Sequence, residues 1–192
     1  MKRILFSVMT IAIVGALIGG GVFAYFSDVE SSPDNSFTAG TLDLSVDNEN
    51  PWTSTKITVS NMAPGADGVA TMTLTNEGTI DGTLTVDLKN LSDTEGENPE
   101  PEINTTEPGD LSANMDIALW VDANHDGVQD GGETVLYSGK LNAEAGPYSV
   151  GTLAASATTY VSLNYSIDSG VGNDIQGDIS TFDIEFNLTQ VP

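Results

Sequence analysis

The sequence predicts an all-β domain: an antiparallel β-sandwich of jelly-roll type with an extended N-terminal donor strand. Three observations carry the sandwich. Apolar residues recur with a period of two, Thr and Val crowd the same runs, and Gly, Pro, Asn and Asp break the chain at short intervals.

The N-terminus has its own character. Lys2 and Arg3 precede an apolar run from Ile4 to Ile18, and glycines thin its end. A basic start, an apolar middle and small residues near a cut site describe a secretory signal peptide. The small-residue rule at Val22 and Ala24 makes Tyr25 the first mature residue. A retained membrane anchor is the rival, because the run nears the roughly 20 residues that span a bilayer; the glycines favour cleavage.

Residues 26–44 form an arm in which Phe26, Val29, Phe37, Leu42 and Leu44 are apolar anchors in polar sequence. An extended arm of this kind adds as a strand to an open sheet edge, where main-chain hydrogen bonds give affinity and side-chain pockets give register. On the residues alone, the favoured reading is that the arm folds back as an edge strand of its own domain.

The domain proper is expected over 45–192. Alternating runs at Leu42–Val46, Ile57–Val59, Met72–Leu74, Leu84–Leu88, Tyr160–Ile167 and Phe182–Leu188 read as half-buried strands. Pro64-Gly65, Asp67-Gly68, Asn76–Gly78, Asp81-Gly82 and Gly146-Pro147 read as turns. Leu153–Ala157 is the one modest helix candidate. The acidic, Pro-rich stretch 92–110 reads as an exposed loop. Trp52 and Trp120 read as packing residues, Trp52 the more exposed of the two.

One loop carries chemistry. Between strand-like Ile117–Val121 and Thr134–Tyr137 lies Asp122–Glu133, a twelve-residue stretch with Asp122, Asn124 and Asp126 at positions 1, 3 and 5. Gly127 takes the sharp turn at position 6. Val128 offers a carbonyl at 7, Asp130 a carboxylate at 9 and Glu133 one at 12. Ca²⁺ takes about 6–8 oxygens, so this spacing predicts a calcium site held between strands rather than helices. The bland reading is an acidic surface turn.

The full chain of 192 residues carries a net charge of −23, and loss of Lys2 and Arg3 with the leader would make it −25. Such acidity disfavours nucleic acid and anionic lipid as partners. Without cysteine, an exported chain must hold its fold without disulfides. Asn90, Asn104, Asn164 and Asn187 begin Asn-x-Ser/Thr acceptor patterns for glycosylation, Asn104 in the exposed loop.

Ala24–Asp28, Asn35–Leu44, Asn61–Gly65, Asn76–Gly78 and the closing Phe182–Gln190 together resemble the TasA/camelysin family of secreted fibre-forming proteins. The resemblance implies cleavage just before Phe26, one residue later than the small-residue rule. It also implies a jelly-roll domain exported to the cell surface and polymerised head-to-tail with itself, with an accessory matrix or anchoring subunit as a further partner. The acidity and the calcium loop depart from bacterial members and look like an archaeal or salt-adapted version. A monomeric surface adhesin is the alternative; a camelysin-like secreted metallopeptidase is weaker. Catalytic zinc typically takes about three protein ligands. This chain has one histidine, His125, at a loop position that faces solvent, and no His-Glu-x-x-His. No catalytic residues are therefore expected.

Overall fold

The computed structural model describes residues 2–21, 39–53, 62–95, 109–172, 175 and 177–191. Two compact units divide at Thr38. The first holds helix α1, Lys2–Gly21. Straight-chain and β-branched apolar residues with no proline let this stretch stay helical, and it is apolar on all sides: Ile4, Leu5, Phe6, Val8 and Met9 are all exposed. Among the described residues, no helix is both long and apolar enough to cross a membrane.

The second unit is a sandwich of two antiparallel sheets. Its strands are β1 (Leu44–Val46), β2 (Asp67–Asn76), β3 (Gly82–Thr94), β4 (Met115–Val121), β5 (Thr134–Lys140), β6 (Tyr148–Leu153), β7 (Thr158–Ile167) and β8 (Ile179–Gln190). A one-turn helix, α2 (Leu111–Asn114), leads into β4. The larger sheet runs β1-β2-β7-β4-β5 and the smaller β6-β3-β8. The all-β reading is thus right.

The period of two explains the layers. Met72 and Leu74 of β2, Leu84 and Val86 of β3, Leu119 of β4, and Val161 and Leu163 of β7 are all buried to 0% exposure. Most of their sequence neighbours are only half-buried, as alternation along pleated strands requires, but Ser162 and Trp120 are buried as well. The two inner faces meet in one cluster that also takes Ile117, Leu141, Leu153 and Ile167. Trp120 is 1% exposed, whereas Trp52 packs half-buried against the core, the order expected.

Three local expectations differ. Leu153–Ala157 is not a helix: Leu153 ends β6, and a turn follows whose carbonyls are claimed by one buried amide. Asn76 Nδ2 donates to the carbonyls of Ile80, Leu153 and Ala154 at 2.9, 3.2 and 3.3 Å. The main chain of Asn76 also pairs with Ala157 and Ser156. That network needs an open turn. Asp67-Gly68 is not a turn but the start of β2, pairing with Ser166 and Tyr165. Glycine is needed there for space, since a Cβ would lie 2.2 Å from the Tyr165 hydroxyl. The acidic loop begins later than residue 92, because Ser92–Thr94 pair with Thr181–Ile179 beyond a bulge in β3.

Leu44, the last residue of the expected arm, opens β1 and pairs with Asn76 of its own domain. Phe26, Val29, Phe37, the expected strand Ile57–Val59, Asn104 and the centre of the acidic loop lie outside the described residues.

Candidate functional sites: the Asp122–Glu133 loop and the β8 edge

The loop joins two neighbouring strands, β4 and β5, and its first residue is still part of the ladder: the Asp122 N–H donates to the Tyr160 carbonyl at 3.0 Å. The Asp122 side chain is 0% exposed. Its carboxylate accepts from the Ser162 hydroxyl at 2.7 Å, the Gly127 N–H at 2.9 Å and the Asp126 N–H at 3.2 Å. An ionised carboxylate only accepts, so Ser162 must donate to it. Ser162 in turn accepts from Thr71, 2.7 Å away. Burial pushes the Asp122 carboxyl up, but Ser162 and the N–H groups of Gly127, Asp126 and His125 together hold it below the usual carboxylate value.

The rest of the loop folds around this anchor. Gly127 has φ +72°, the left-handed region where glycine alone is unstrained. Asn124 Nδ2 donates to Asp126 at 2.9 Å and to Asp130 at 3.1 Å, so these three side chains meet at one point. The Val128 N–H donates back to Asp126 at 2.8 Å, leaving the Val128 side chain exposed. Glu133 closes the loop by accepting from the Ala123 N–H at 2.7 Å and the Asp130 N–H at 3.0 Å. His125 is exposed and lies flat on Tyr160, ring centroids 3.9 Å apart.

The donor chemistry of this loop suits a hard cation, because every acidic side chain at the expected positions offers oxygen. The grouping is incomplete. Asn124, Asp126 and Asp130 converge, while Asp122 and Glu133 are turned to backbone N–H groups. Among the described residues, no set of three or more His, Cys, Asp or Glu side chains is placed to hold a metal ion.

The second site was not legible in the sequence. β8 is twelve residues long and pairs on one side with β3, from Gly82↔Gln190 to Thr94↔Ile179. Its other side has no strand partner among the described residues. Beside it runs a groove of about 360 Å³, lined by Leu42, Leu44, Val46, Trp52, Phe186 and Leu188 among others. The groove lies where the two sheets gape, between β1 of one and β8 of the other. At the opposite side the sandwich is closed, with Tyr137 of β5 against Tyr148 of β6 at 5.6 Å.

The outer row of β8 is polar: Asp183, Glu185, Asn187 and Thr189 are exposed, while Phe182, Ile184, Phe186 and Leu188 turn inward. Lys89 Nζ reaches across from β3 to Glu185 at 2.6 Å, and that hydrogen bond raises the lysine's pKa.

Of the glycosylation acceptors, Asn90 is exposed on the β3 bulge at φ +54°, with its amide on Asp183 at 2.6 Å. Asn187 is exposed on β8. Asn164 is half-buried and donates to the Gly68 carbonyl at 3.0 Å. Sequence reading also missed a knot of acids at the far end of β3. Asp178 accepts from the Asp110 N–H, and Asp93 accepts from the Ser112 hydroxyl. Burial, together with the charges of Asp178 and Asp110, pushes the Glu95 carboxyl up.

No curated protein matches this chain. A family model described as camelysin metallo-endopeptidase matches residues 1–129, from the N-terminus through β4 and into the carboxylate loop, stopping before Asp130, Glu133 and strands β5–β8. With two thirds of its length matched, the chain belongs to the TasA/camelysin family.

Proposed function

We propose that this chain is a secreted structural subunit, exported by a cleaved leader over 1–25, that polymerises into extracellular filaments of a matrix or biofilm. Each subunit donates its N-terminal arm, anchored by Phe26, Val29 and Phe37, to the next. The function is mechanical, without catalysis.

One observation carries the reading: above an apolar groove, β8 has an edge without a strand partner among the described residues. Apart from β1 at the edge of the larger sheet, the strands lie side by side as β2-β7-β4-β5 and β6-β3-β8, an order that fits a jelly roll whose strand beside β8 comes from elsewhere. An exposed edge of that length invites another chain to pair with it.

The chain's own path supports donation to a neighbour. Leu42 and Leu188 both crowd Gly82, so the arm leaves its domain near the C-terminal end of β8. An arm running straight back along its own β8 would be parallel to it, whereas every described pairing here is antiparallel. A second copy's arm can enter antiparallel. Such a head-to-tail contact propagates into a filament.

Ca²⁺ fits this reading as a stabiliser of the β4–β5 loop, with Asp122, Asn124, Asp126, the Val128 carbonyl, Asp130 and Glu133 as the residues that would hold it. It would supply positive charge to a loop whose carboxylates otherwise repel one another.

The test is deletion of Phe26–Phe37, followed by sedimentation and negative-stain electron microscopy. The expected product is a folded monomer that does not elongate. Deleted protein that still forms filaments of the parent diameter overturns strand donation, and deleted protein that fails to fold shows instead that the arm completes its own domain.

A further inference from the structure

The root of the arm is held by the turn between β2 and β3. The Thr41 N–H donates to the Thr79 hydroxyl at 2.9 Å, and the Thr41 carbonyl accepts from the Thr79 and Ile80 N–H groups at 2.8 and 3.3 Å. The Asp43 carbonyl accepts from the Glu77 N–H at 2.6 Å. These bonds carry the β1–β2 pairing, which ends at Leu44↔Asn76, past the strands and along the turn. Beside them, Leu42 and Leu188 share the space that a side chain at Gly82 would take.

Gly78 lets the two segments close. Its φ lies outside the left-handed region, so the turn itself does not require glycine. A Cβ there would strike the Thr41 carbonyl and lie 2.9 Å from both the Asp43 nitrogen and the Leu42 Cα. Those are main-chain atoms, which cannot swing aside as a side-chain tip can. Gly78 is buried, while Glu77 and Thr79 on either side of it are exposed. Asn76 stiffens the turn from behind: its Oδ1 accepts from the Gly78 N–H at 3.0 Å, and its Nδ2 donates to the Ile80 carbonyl at 2.9 Å.

We infer that this turn is a clasp on the arm that sets the joint between one subunit and the next: residues 41–43 stay bound to their own domain while the strand before them enters a second copy. The inference rests on strand donation, as proposed above. Between Phe37 and Thr41 lie Thr38, Ala39 and Gly40, which reach at most about 10 Å when extended. Released as far as Leu44, where β1 begins, the free stretch would run from Thr38 to Asp43 and reach about 20 Å. In strand donation the arm is the link between neighbours, so slack in that stretch becomes swing between domains. The clasp therefore decides whether one and the same strand contact gives a stiff filament or a string of loosely hinged subunits.

The experiment compares the full chain with Gly78→Ala and Thr79→Val. The valine removes the acceptor of the Thr41 N–H at an exposed position and answers for any folding defect of the alanine. Hydrogen exchange reads the clasp: the Thr41 amide should exchange about fivefold faster in Thr79→Val, the loss of one neutral hydrogen bond, and faster still in Gly78→Ala. Electron microscopy reads the joint. Both variants should still elongate, and a synthetic peptide of residues 26–37 should still cap them, but their filaments should have a shorter persistence length than the parent's. A Thr41 amide that exchanges no faster in the variants overturns the clasp, and variant filaments as stiff as the parent's despite faster exchange overturn its role at the joint; either leaves strand addition standing. A parent chain that forms no filaments, or that the peptide does not cap, overturns strand addition itself and the inference with it.

Discussion

Replacing Asp122 by alanine tests whether the carboxylate loop is built on this one side chain. The substitution removes the acceptor of two main-chain N–H groups and of the Ser162 hydroxyl, at a position of 0% exposure. Ser162 can turn to Thr71, its other neighbour, so the two N–H groups and the lost charge-assisted bonds dominate. At about 1.5–3 kcal/mol for a hydrogen bond to a charged group, the expected loss is roughly 3–4 kcal/mol. In a domain of this size that lowers the melting temperature by roughly 10 °C. Asp122→Asn keeps one acceptor oxygen and should lose about half as much.

Urea denaturation at pH 7 in EDTA measures this without any contribution from a metal, and the slope should stay unchanged while the midpoint falls. The pH dependence has a definite sign. Because the folded-state pKa is lowered, the contribution is complete above the unfolded carboxylate value of about 3.9 and disappears as pH falls through the folded value. Parent and Asp122→Ala should therefore converge below about pH 4. An alanine variant within 1 kcal/mol of the parent in EDTA, or one whose deficit persists unchanged into acid, would refute the argument.

Calcium should add to this stability, by about 2.7 kcal/mol at one hundred times Kd, and Asp126→Ala or Glu133→Ala should abolish most of the gain; titration calorimetry without heat and melting curves without a shift would reduce the loop to a turn. Glu95 has the opposite sign. Its folded-state pKa is raised by burial and by Asp178 and Asp110, so its contribution is present in acid and lost as pH rises through the folded value. Glu95→Gln should accordingly raise the melting temperature at pH 7 and give no gain near pH 4. A lower midpoint at pH 7 would show that the carboxylate has a favourable partner.

The sandwich was readable because its signal is local and repeated. Leu84-Thr-Val-Asp-Leu88 alternates in sequence and alternates in burial, and β7 sends Val161 and Leu163 to the core although Ser162 between them is buried as well. The Asp122–Glu133 loop was readable for the same reason, as all its members lie within one short span between two strands. What escaped depended on distant partners. Leu153–Ala157 has the composition of a helix, and only the amide of Asn76, far away in sequence, explains why it turns instead. Gly68 looks like half of a turn until Tyr165 is seen to need its missing side chain. The β8 edge left no mark at all in Phe182–Leu188, since an edge strand and a central strand with one buried face alternate alike. Its character comes from the sheet order, which no stretch of sequence contains.

The outer row of β8 also bears on which wrong assemblies are avoided. Two copies that met through this edge, antiparallel about Glu185, would set Glu185 against Glu185 and Asp183 against Asn187, with Lys89 of each copy the one cation among the described residues paired to Glu185. Like charges placed directly opposite destabilise a strand pair, and acidic residues on an edge are a common guard against aggregation. Asp183 and Glu185 therefore make each subunit a poor partner for its own mirror position, so that, on the proposed strand addition, a dead-end dimer would not compete with growth. A filament grown through this edge would also have two chemically unlike ends, one showing an unfilled groove and the other a free arm, and could lengthen at each with a different rate.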